Sequence, residues 1–209
     1  MDLEFNGNLY KASLEIIKTL TMPTEEELAL QRKVYLGPTT KKLTLIFDLD
    51  QTLVNAELSS ATVTDAGTEY TIVVRPFALE LIQELSKDFE LVMFTTANPE
   101  YAMQAFNYFN TPTVCFVKLL TNEYCTLTKE EYFVKDLRVF ADRSLNRLLI
   151  IDDSIISFAF QLENGIPVAP FDGSQDDQEL LYLKNYLENI CVLEDAVKRN
   201  GELIGIAPG

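Results

Sequence analysis

The sequence predicts an α/β protein with a three-layer architecture, in which a doubly wound, mainly parallel sheet lies between helices. Short apolar runs typical of buried strands alternate along the chain with longer amphipathic stretches. Two of these runs, at residues 43–47 and 148–151, end abruptly at acidic residues. Because ligands of such sheets bind beyond the carboxyl ends of the strands, the same pattern predicts where a functional site lies.

The elements follow in order along the chain. Residues 1–40 are predicted to be an N-terminal helical extension, with a helix at 9–20 and a capping box of Thr24 and Glu27 that opens a second helix. Whether this extension docks on the core is not readable from its sequence. Residues 41–209 are predicted to form one domain with the following elements: a strand at 43–47, a small β-hairpin insert with its turn at 65–67 and a strand at 70–74, a helix opening at Arg75-Pro76, a strand at 90–94, a helix from Pro99 to about Phe109, a strand at 114–117, an irregular stretch at 120–133, strands at 148–151 and 166–169, and helices at 176–189 and 193–200.

Composition excludes several kinds of chemistry. The 209 residues contain no histidine, which excludes a Ser-His-Asp triad, a Cys-His pair and a His-ligated zinc site. Proton transfer near neutral pH must then use Asp, Glu, Lys, Tyr, Cys or water. The 17 basic and 32 acidic residues give a net charge of −15, which argues against broad nucleic-acid binding.

The cysteine content and the apolar runs predict a location. Three cysteines without C-x-x-C spacing favour reduced thiols in an intracellular protein, nuclear or cytoplasmic. No secretory signal is visible, and no apolar run is long enough for a transmembrane segment. Oligomeric state cannot be inferred from the sequence.

The first acidic pair, Asp48 and Asp50, lies directly after a predicted strand. Residues two apart in a strand point to the same face, and two close carboxylates raise each other's pKa. A divalent cation relieves this repulsion, and hard oxygen ligands suit Mg²⁺. The alternative is an acidic pair that simply ends a strand, with Thr52 in a turn.

A second acidic pair, Asp152 and Asp153, ends a later strand in the same way. Its alternative role is helix capping by Asp153 or Ser154. Thr95 offers a hydroxyl at another strand end and Lys135 a cation, although a β-branched residue often closes a strand and a lysine is usually solvated. The order of these features and their placement at strand ends together predict one site.

The motif D-L-D-Q-T-L, starting at Asp48, resembles the D-x-D-x-T signature of the haloacid dehalogenase superfamily. The longer set V-R-P-F, L-V-M-F-T-T-A-N-P-E-Y-A, Y-F-V-K-D-L and L-I-I-D-D-S resembles the phosphatases that act on the C-terminal domain of RNA polymerase II, together with their small nuclear and membrane-linked relatives. The resemblance runs from about Lys41 to about Glu194. It implies the Rossmann-type fold of that superfamily.

The resemblance also implies roles. Asp48 is expected to be the nucleophile that forms an aspartyl-phosphate, and Asp50 the general acid and then the base. Thr95 is expected to hydrogen-bond the phosphoryl group, and Lys135 to neutralise its charge and orient Asp48. Phosphoryl transfer needs chiefly positioning and charge stabilisation, and a carboxylate can serve as its nucleophile.

The implied cofactor is Mg²⁺, held by Asp48, the backbone carbonyl of Asp50, and the second acidic pair. Within that pair Asp153 is the favoured ligand, with Asp152 in support. The further candidates for phosphate or substrate binding are Thr52, Thr96 and Arg75, beside Lys135.

Four features bear on the substrate: the room left for a cap domain and three departures from the family pattern. The intervals between Asp48, Thr95 and Lys135 leave no room for a sizeable cap domain, and an open site favours a phosphate carried on a protein or peptide. Gln51 stands where the family usually has glutamate, residues 55–68 lack an aromatic residue, and Asn122 stands where the family often has arginine. The last two departures leave open whether polymerase repeats are recognised.

The sequence therefore predicts a Mg²⁺-dependent protein serine/threonine phosphatase. The alternatives are a catalytically silent family member that serves as a binding scaffold, and a small-molecule phosphatase of the wider superfamily.

Overall fold

The computed structural model describes residues 7–64, 67–111, 116–192 and 195–204. Their helices and strands are α1 (Gly7–Thr19), α2 (Glu25–Leu30), β1 (Thr44–Phe47), β2 (Val54–Thr64), β3 (Gly67–Val74), α3 (Ala78–Leu85), β4 (Glu90–Phe94), α4 (Pro99–Phe109), β5 (Phe116–Leu120), β6 (Thr126–Leu127), β7 (Phe133–Val134), β8 (Leu148–Asp152), β9 (Gly165–Pro167), α5 (Glu179–Ile190) and α6 (Ala196–Ile204).

The centre of the molecule is a five-stranded sheet in the order β5-β4-β1-β8-β9. All of its strand pairs are parallel, and β1 is the middle strand, paired with β4 on one side and β8 on the other. Every residue of β1, β4 and β8 is buried, as expected for a parallel sheet that is covered on both faces. The predicted α/β sheet is therefore confirmed.

Alternate side chains of the strands pack into two separate apolar clusters, one on each face of the sheet. In β1, Leu45 and Phe47 join a cluster with α3, α4, α5 and α6, whereas Ile46 faces a second cluster on the other side of the sheet. The second cluster contains Phe140 and Phe158, which lie in the connections that flank β8. This alternation follows from the two-residue period of a strand, and it produces the three layers.

The N-terminal segment covers the second cluster. Tyr10, Leu14 and Ile17 of α1 pack against it, and Val34 is buried in it. Val34 also extends the backbone pairing, since its N–H donates to the carbonyl of Val139 at 2.8 Å. The described part of residues 1–40 thus docks on the core, while a domain boundary at residue 40 stays a prediction. No helix in the described ranges has the length and apolarity needed to span a bilayer.

Several element boundaries differ from those predicted. Helix α3 begins at Ala78 instead of Arg75-Pro76, because Phe77 has φ +67° in the left-handed region and interrupts the helix. Within the stretch predicted to be irregular, β6 and β7 form a two-stranded hairpin. Other boundaries are shifted: β3 begins earlier than predicted, the ends of β5 and β9 are displaced by one to three residues, and α5 and α6 begin later. Some predicted positions lie outside the described residues: turn residues 65 and 66, strand residues 114 and 115, and residues 193 and 194 of the last predicted helix.

The connections that leave the carboxyl edge of the sheet consist of small elements. Between β1 and β4 the described residues form the β2–β3 hairpin and α3, and between β4 and Lys135 they form α4, β5, β6 and β7. No cap domain occurs among these residues, so the carboxyl ends of β1, β4 and β8 face an open surface.

Candidate active site

Three neighbouring strands deliver polar residues to one edge of the sheet. Asp48 directly follows β1, Thr95 directly follows β4, and Asp152 is the last residue of β8. Backbone pairing fixes the first two, because Asp48 N–H donates to the Ile151 carbonyl and Thr95 N–H donates to the Leu120 carbonyl, both at 2.9 Å. The parallel sheet therefore brings together residues that are about a hundred positions apart in the sequence.

Asp48, Asp152 and Asp153 form a compact acidic cluster. One carboxylate oxygen from each lies within 4.8 Å of the others. The ammonium group of Lys135, whose side chain is 1% exposed, bridges the cluster by donating to Asp48 Oδ1 and, at 2.6 Å, to Asp152 Oδ2. The other oxygen of Asp152 accepts the N–H of Ser154 at 2.9 Å. Asp152 is thus fully engaged, whereas Asp153 is less buried and lines the pocket.

The charges of this cluster are unbalanced. Burial lowers the pKa of Lys135, but the carboxylates of Asp152 and Asp48 outweigh that effect and raise it above its ordinary range. Burial raises the pKa of Asp152, while burial together with the charges of Asp152 and Asp48 raises the pKa of Asp153 to about 7. The three carboxylates of the cluster have one ammonium group beside them, which contacts two of them, so the donor set fits a hard divalent cation such as Mg²⁺.

Asp50 lies beside the acidic cluster. Its carboxyl group is partly buried, and its Oδ1 accepts a hydrogen bond of 2.6 Å from the hydroxyl of Tyr101. Burial raises the pKa of Asp50, the Tyr101 hydroxyl acts in the opposite direction, and the charge of Asp48 raises it further. The net direction is upward, which favours the protonated form that a general acid requires.

A pocket of about 410 Å³ opens above these groups. The candidate residues Asp48, Asp50, Lys135, Asp152 and Asp153 line it. Its remaining lining residues are Gln51, Thr96, Tyr132, Phe133, Ser154, Ile156 and Ser157. The pocket therefore combines acids and a lysine at its base with an aromatic and apolar wall.

The predicted threonines occupy different positions. Thr96 is exposed and lines the pocket. Thr95 is buried directly below it, where its hydroxyl accepts the N–H of Ala97 at 3.0 Å. Thr52 is fully buried, and its hydroxyl accepts the N–H of Asp153 at 3.2 Å. Thr52 thus holds the backbone that carries an acidic residue, which differs from the phosphate contact that the sequence predicts.

Arg75 is not brought into the pocket. Its fully buried guanidinium donates through Nε and Nη2 to the two oxygens of Asp177 at 2.9 and 2.8 Å. Its Nη1 donates to the backbone carbonyls of Gln51 and Thr52 at 3.3 and 3.2 Å. The predicted substrate contact of Arg75 is corrected accordingly, because these partners hold the guanidinium beneath the loop that follows β1.

Two functional neighbours were missed in the sequence. Tyr101 contacts Asp50, and Asp177 anchors Arg75. For Tyr101 a signal was present: Asn98 and Pro99 mark the start of a helix just after a strand end, and Tyr101 lies in its first turn. For Asp177 no local signal exists, since its partner lies 102 residues away.

The fold and the strand-end aspartates together define an aspartate-based domain of the haloacid dehalogenase type. Residues 43–198 match the family described as NLI interacting factor-like phosphatase, and the chain belongs to that family. The resemblance noted from the motifs is thereby confirmed.

Individual relatives agree with the family. The chain is 33% identical to CTD small phosphatase-like protein 2 of Dictyostelium discoideum, over 92% of this chain and 34% of that protein. It is 30% identical to the human carboxy-terminal domain RNA polymerase II polypeptide A small phosphatase 1, over 77% of this chain and 66% of that protein. The chain thus spans about a third of the length of the first relative and about two thirds of the second.

A solved structure supports the fold. The fission yeast RNA polymerase II CTD phosphatase Fcp1, in a form bound to beryllium fluoride, superposes with a TM-score of 0.50 at 18% identity. The match covers 78% of this chain and 54% of that one.

Proposed function

We propose that this protein is a Mg²⁺-dependent protein serine/threonine phosphatase that acts through an aspartyl-phosphate on Asp48. The observation that carries the proposal is that Asp48 and Asp50 line the same open pocket, with Lys135 bonded to Asp48 at its base. This arrangement supplies a nucleophile, an acid and a compensating charge within one site.

The reaction would proceed in two steps. In the first, an oxygen of Asp48 attacks phosphorus, the bond to the substrate oxygen breaks, and Asp50 donates a proton to that leaving oxygen. In the second, Asp50 accepts a proton from water as the water oxygen attacks the phosphorus, which releases phosphate and restores Asp48. Lys135 keeps Asp48 oriented and offsets negative charge near the phosphoryl group, and Thr95 and Thr96 supply hydroxyl groups at the adjacent strand end.

The metal would be held by Asp48, Asp153 and the backbone carbonyl of Asp50. Asp152 would support them, because its two oxygens are already engaged by Lys135 and the Ser154 N–H. When bound, Mg²⁺ supplies charge neutralisation for the phosphoryl oxygens. The excess of carboxylates in the cluster supports this assignment.

The proposed substrate is a phosphorylated protein or peptide. The pocket is open, and no cap covers it in the described ranges, so a phosphate on a protein surface can reach Asp48. The polymerase C-terminal domain and other phosphoproteins are both candidates, since relatives include polymerase phosphatases and nuclear envelope morphology protein 1 of Schizosaccharomyces pombe. The names of these relatives support an intracellular location and, of the nuclear and cytoplasmic alternatives, favour the nuclear one.

A phosphopeptide panel tests the proposal. With Mg²⁺, phosphoserine or phosphothreonine peptides should release phosphate, and EDTA should stop the reaction reversibly. Asp48→Asn should lose at least about 10³-fold in kcat, because the amide is a poor nucleophile. The matched control is Asp88→Asn, an exposed residue before β4 at the opposite edge of the sheet, which should retain full activity.

Two results would contradict the proposal. Full activity of a folded Asp48→Asn variant would exclude the mechanism. A wild-type protein that is inert on every peptide with Mg²⁺ would favour a binding scaffold, and activity on small phosphate esters alone would favour a small-molecule phosphatase.

A further inference from the structure

The Tyr101 hydroxyl donates to Asp50 Oδ1 at 2.6 Å, a contact that the two-step reaction above does not use. Tyr101 is only 5% exposed and belongs to the main apolar cluster of the core. We propose that Tyr101 is a positioning residue, which fixes the Asp50 carboxyl group in the orientation needed to protonate the leaving oxygen. This inference rests on the proposed phosphatase function.

The first turn of α4 holds Tyr101 rigidly. The Asn98 side chain caps the helix by accepting the Tyr101 N–H at 3.0 Å, and Pro99 occupies the first helical position. Helix α4 begins only a few residues after Thr95, at the carboxyl edge of β4. The ring is therefore anchored in the core while its hydroxyl reaches the catalytic edge of the sheet, as a precise positioning group requires.

The hydrogen bond distinguishes the two oxygens of Asp50. The Tyr101 hydroxyl acts as donor to Oδ1, which leaves Oδ2 to carry the transferable proton. As the bond between phosphorus and the substrate oxygen breaks, this proton passes from Oδ2 to that oxygen, and Tyr101 keeps its own proton. The negative charge that then forms on Asp50 is stabilised by the same hydrogen bond, which is stronger to a charged acceptor.

A purely structural explanation exists, because buried tyrosine hydroxyls normally have a partner. The two explanations differ in how they depend on the leaving group. A serine alkoxide is strongly basic and needs a proton as it departs, whereas p-nitrophenolate departs readily without one. If Tyr101 positions the acid, its loss must therefore slow phosphoryl transfer from phosphoserine substrates more than from p-nitrophenyl phosphate.

The test compares Tyr101→Phe with wild type on a phosphoserine peptide and on p-nitrophenyl phosphate. The quantity measured is kcat/KM, which reports the first phosphoryl transfer and excludes hydrolysis of the shared aspartyl-phosphate. We expect the ratio of kcat/KM values, peptide over aryl phosphate, to fall by about 10-fold or more, a part of what general acid catalysis contributes. The matched control is Tyr186→Phe, which removes a partly buried hydroxyl that donates to Asn200 Oδ1 at 2.8 Å in the contact of α5 with α6. The ratio of this variant should equal that of wild type.

The outcomes separate the inference from the proposed function. The positioning role is overturned if Tyr101→Phe has the same ratio of peptide to aryl phosphate kcat/KM as wild type, whether both activities fall or neither does. That result would leave the proposed phosphatase function in place. A wild type that is inert on both substrates overturns the phosphatase and the inference with it. Thermal melts establish that the variants are folded, and if Tyr101→Phe is not, Tyr101→Met replaces it as a core side chain of adaptable shape.

Discussion

The buried guanidinium of Arg75 holds two segments of the chain together, although the sequence predicted that it contacts the substrate. Replacing Arg75 with methionine tests this structural role. In the native protein it joins both oxygens of Asp177, just before α5, to the carbonyls of Gln51 and Thr52, just after β1. The Arg75 side chain is 0% exposed and that of Asp177 is 16% exposed. The substitution keeps a long apolar side chain but removes every one of these donors.

The expected loss of stability follows from these contacts. Breaking a buried ion pair from one side costs about 3–5 kcal/mol, because the remaining charge is left uncompensated. Partial exposure of Asp177 relieves some of this cost, while the two carbonyls that lose a charged donor add to it. We therefore expect the free energy of unfolding to fall by about 3–5 kcal/mol, which corresponds to a decrease of roughly 6–20 °C in Tm for a chain of this size.

Urea unfolding followed by circular dichroism measures this change. The control is Arg199→Met, in which the lost ion pair with Glu202 is half exposed and should change stability by less than about 1 kcal/mol. Inhibition by inorganic phosphate is measured in parallel on both variants. An Arg75→Met protein as stable as wild type, but inhibited about 10-fold more weakly by phosphate, would refute the reasoning and restore Arg75 to the substrate site.

Three further predictions follow from other parts of the structure. Mg²⁺ should raise Tm relative to EDTA, by roughly 5–11 °C at a hundred times its Kd, because it binds the folded acidic cluster; an unchanged Tm would contradict a metal site. Gly165→Ala should destabilise the fold by about 3 kcal/mol in urea unfolding, since the added Cβ would lie 2.0 Å from the buried ring of Phe158; a neutral effect would show that the ring can move. Burial raises the pKa values of the Cys125 and Cys191 thiols to about 12. In a Cys115→Ser background, alkylation of these two thiols at pH 8 should therefore be on the order of 10³-fold slower than that of free cysteine, and should accelerate as pH rises. Labelling at the rate of the free thiol would contradict this burial.

The strand-end residues of the candidate site were predictable from the sequence. Asp48, Asp50, Asp152 and Asp153 each follow or end an apolar run, and the geometry of a parallel sheet brings such positions to one edge. Lys135 was a weaker candidate, since no periodicity distinguishes it from a solvated lysine, and its role beside Asp48 was implied only by the family resemblance. Its burial depends on the two carboxylates that surround it, which are distant in the sequence.

The roles of residues whose partners are distant in the sequence were harder to predict. Thr52 and Arg75 lie within the motifs of the family resemblance and were predicted to bind phosphate or substrate. In the structure the Thr52 hydroxyl instead accepts the N–H of Asp153, and Arg75 pairs with Asp177. The start of α3 was misplaced because the left-handed conformation of Phe77 has no marker in its residue type. The strand order of the sheet was not predicted either, since alternation of strands and helices leaves the neighbours of β1 undetermined.

The docking of the N-terminal segment has a practical consequence for protein preparation. The family match begins at residue 43, but Val34 and the α1 residues Tyr10, Leu14 and Ile17 lie against the apolar cluster beneath β8. A recombinant protein that begins at residue 43 would expose this apolar surface to solvent. Contiguous exposed apolar patches promote self-association. Inactive or aggregated material from such a truncation would therefore reflect an incomplete folding unit, and would say nothing about the chemistry of the site.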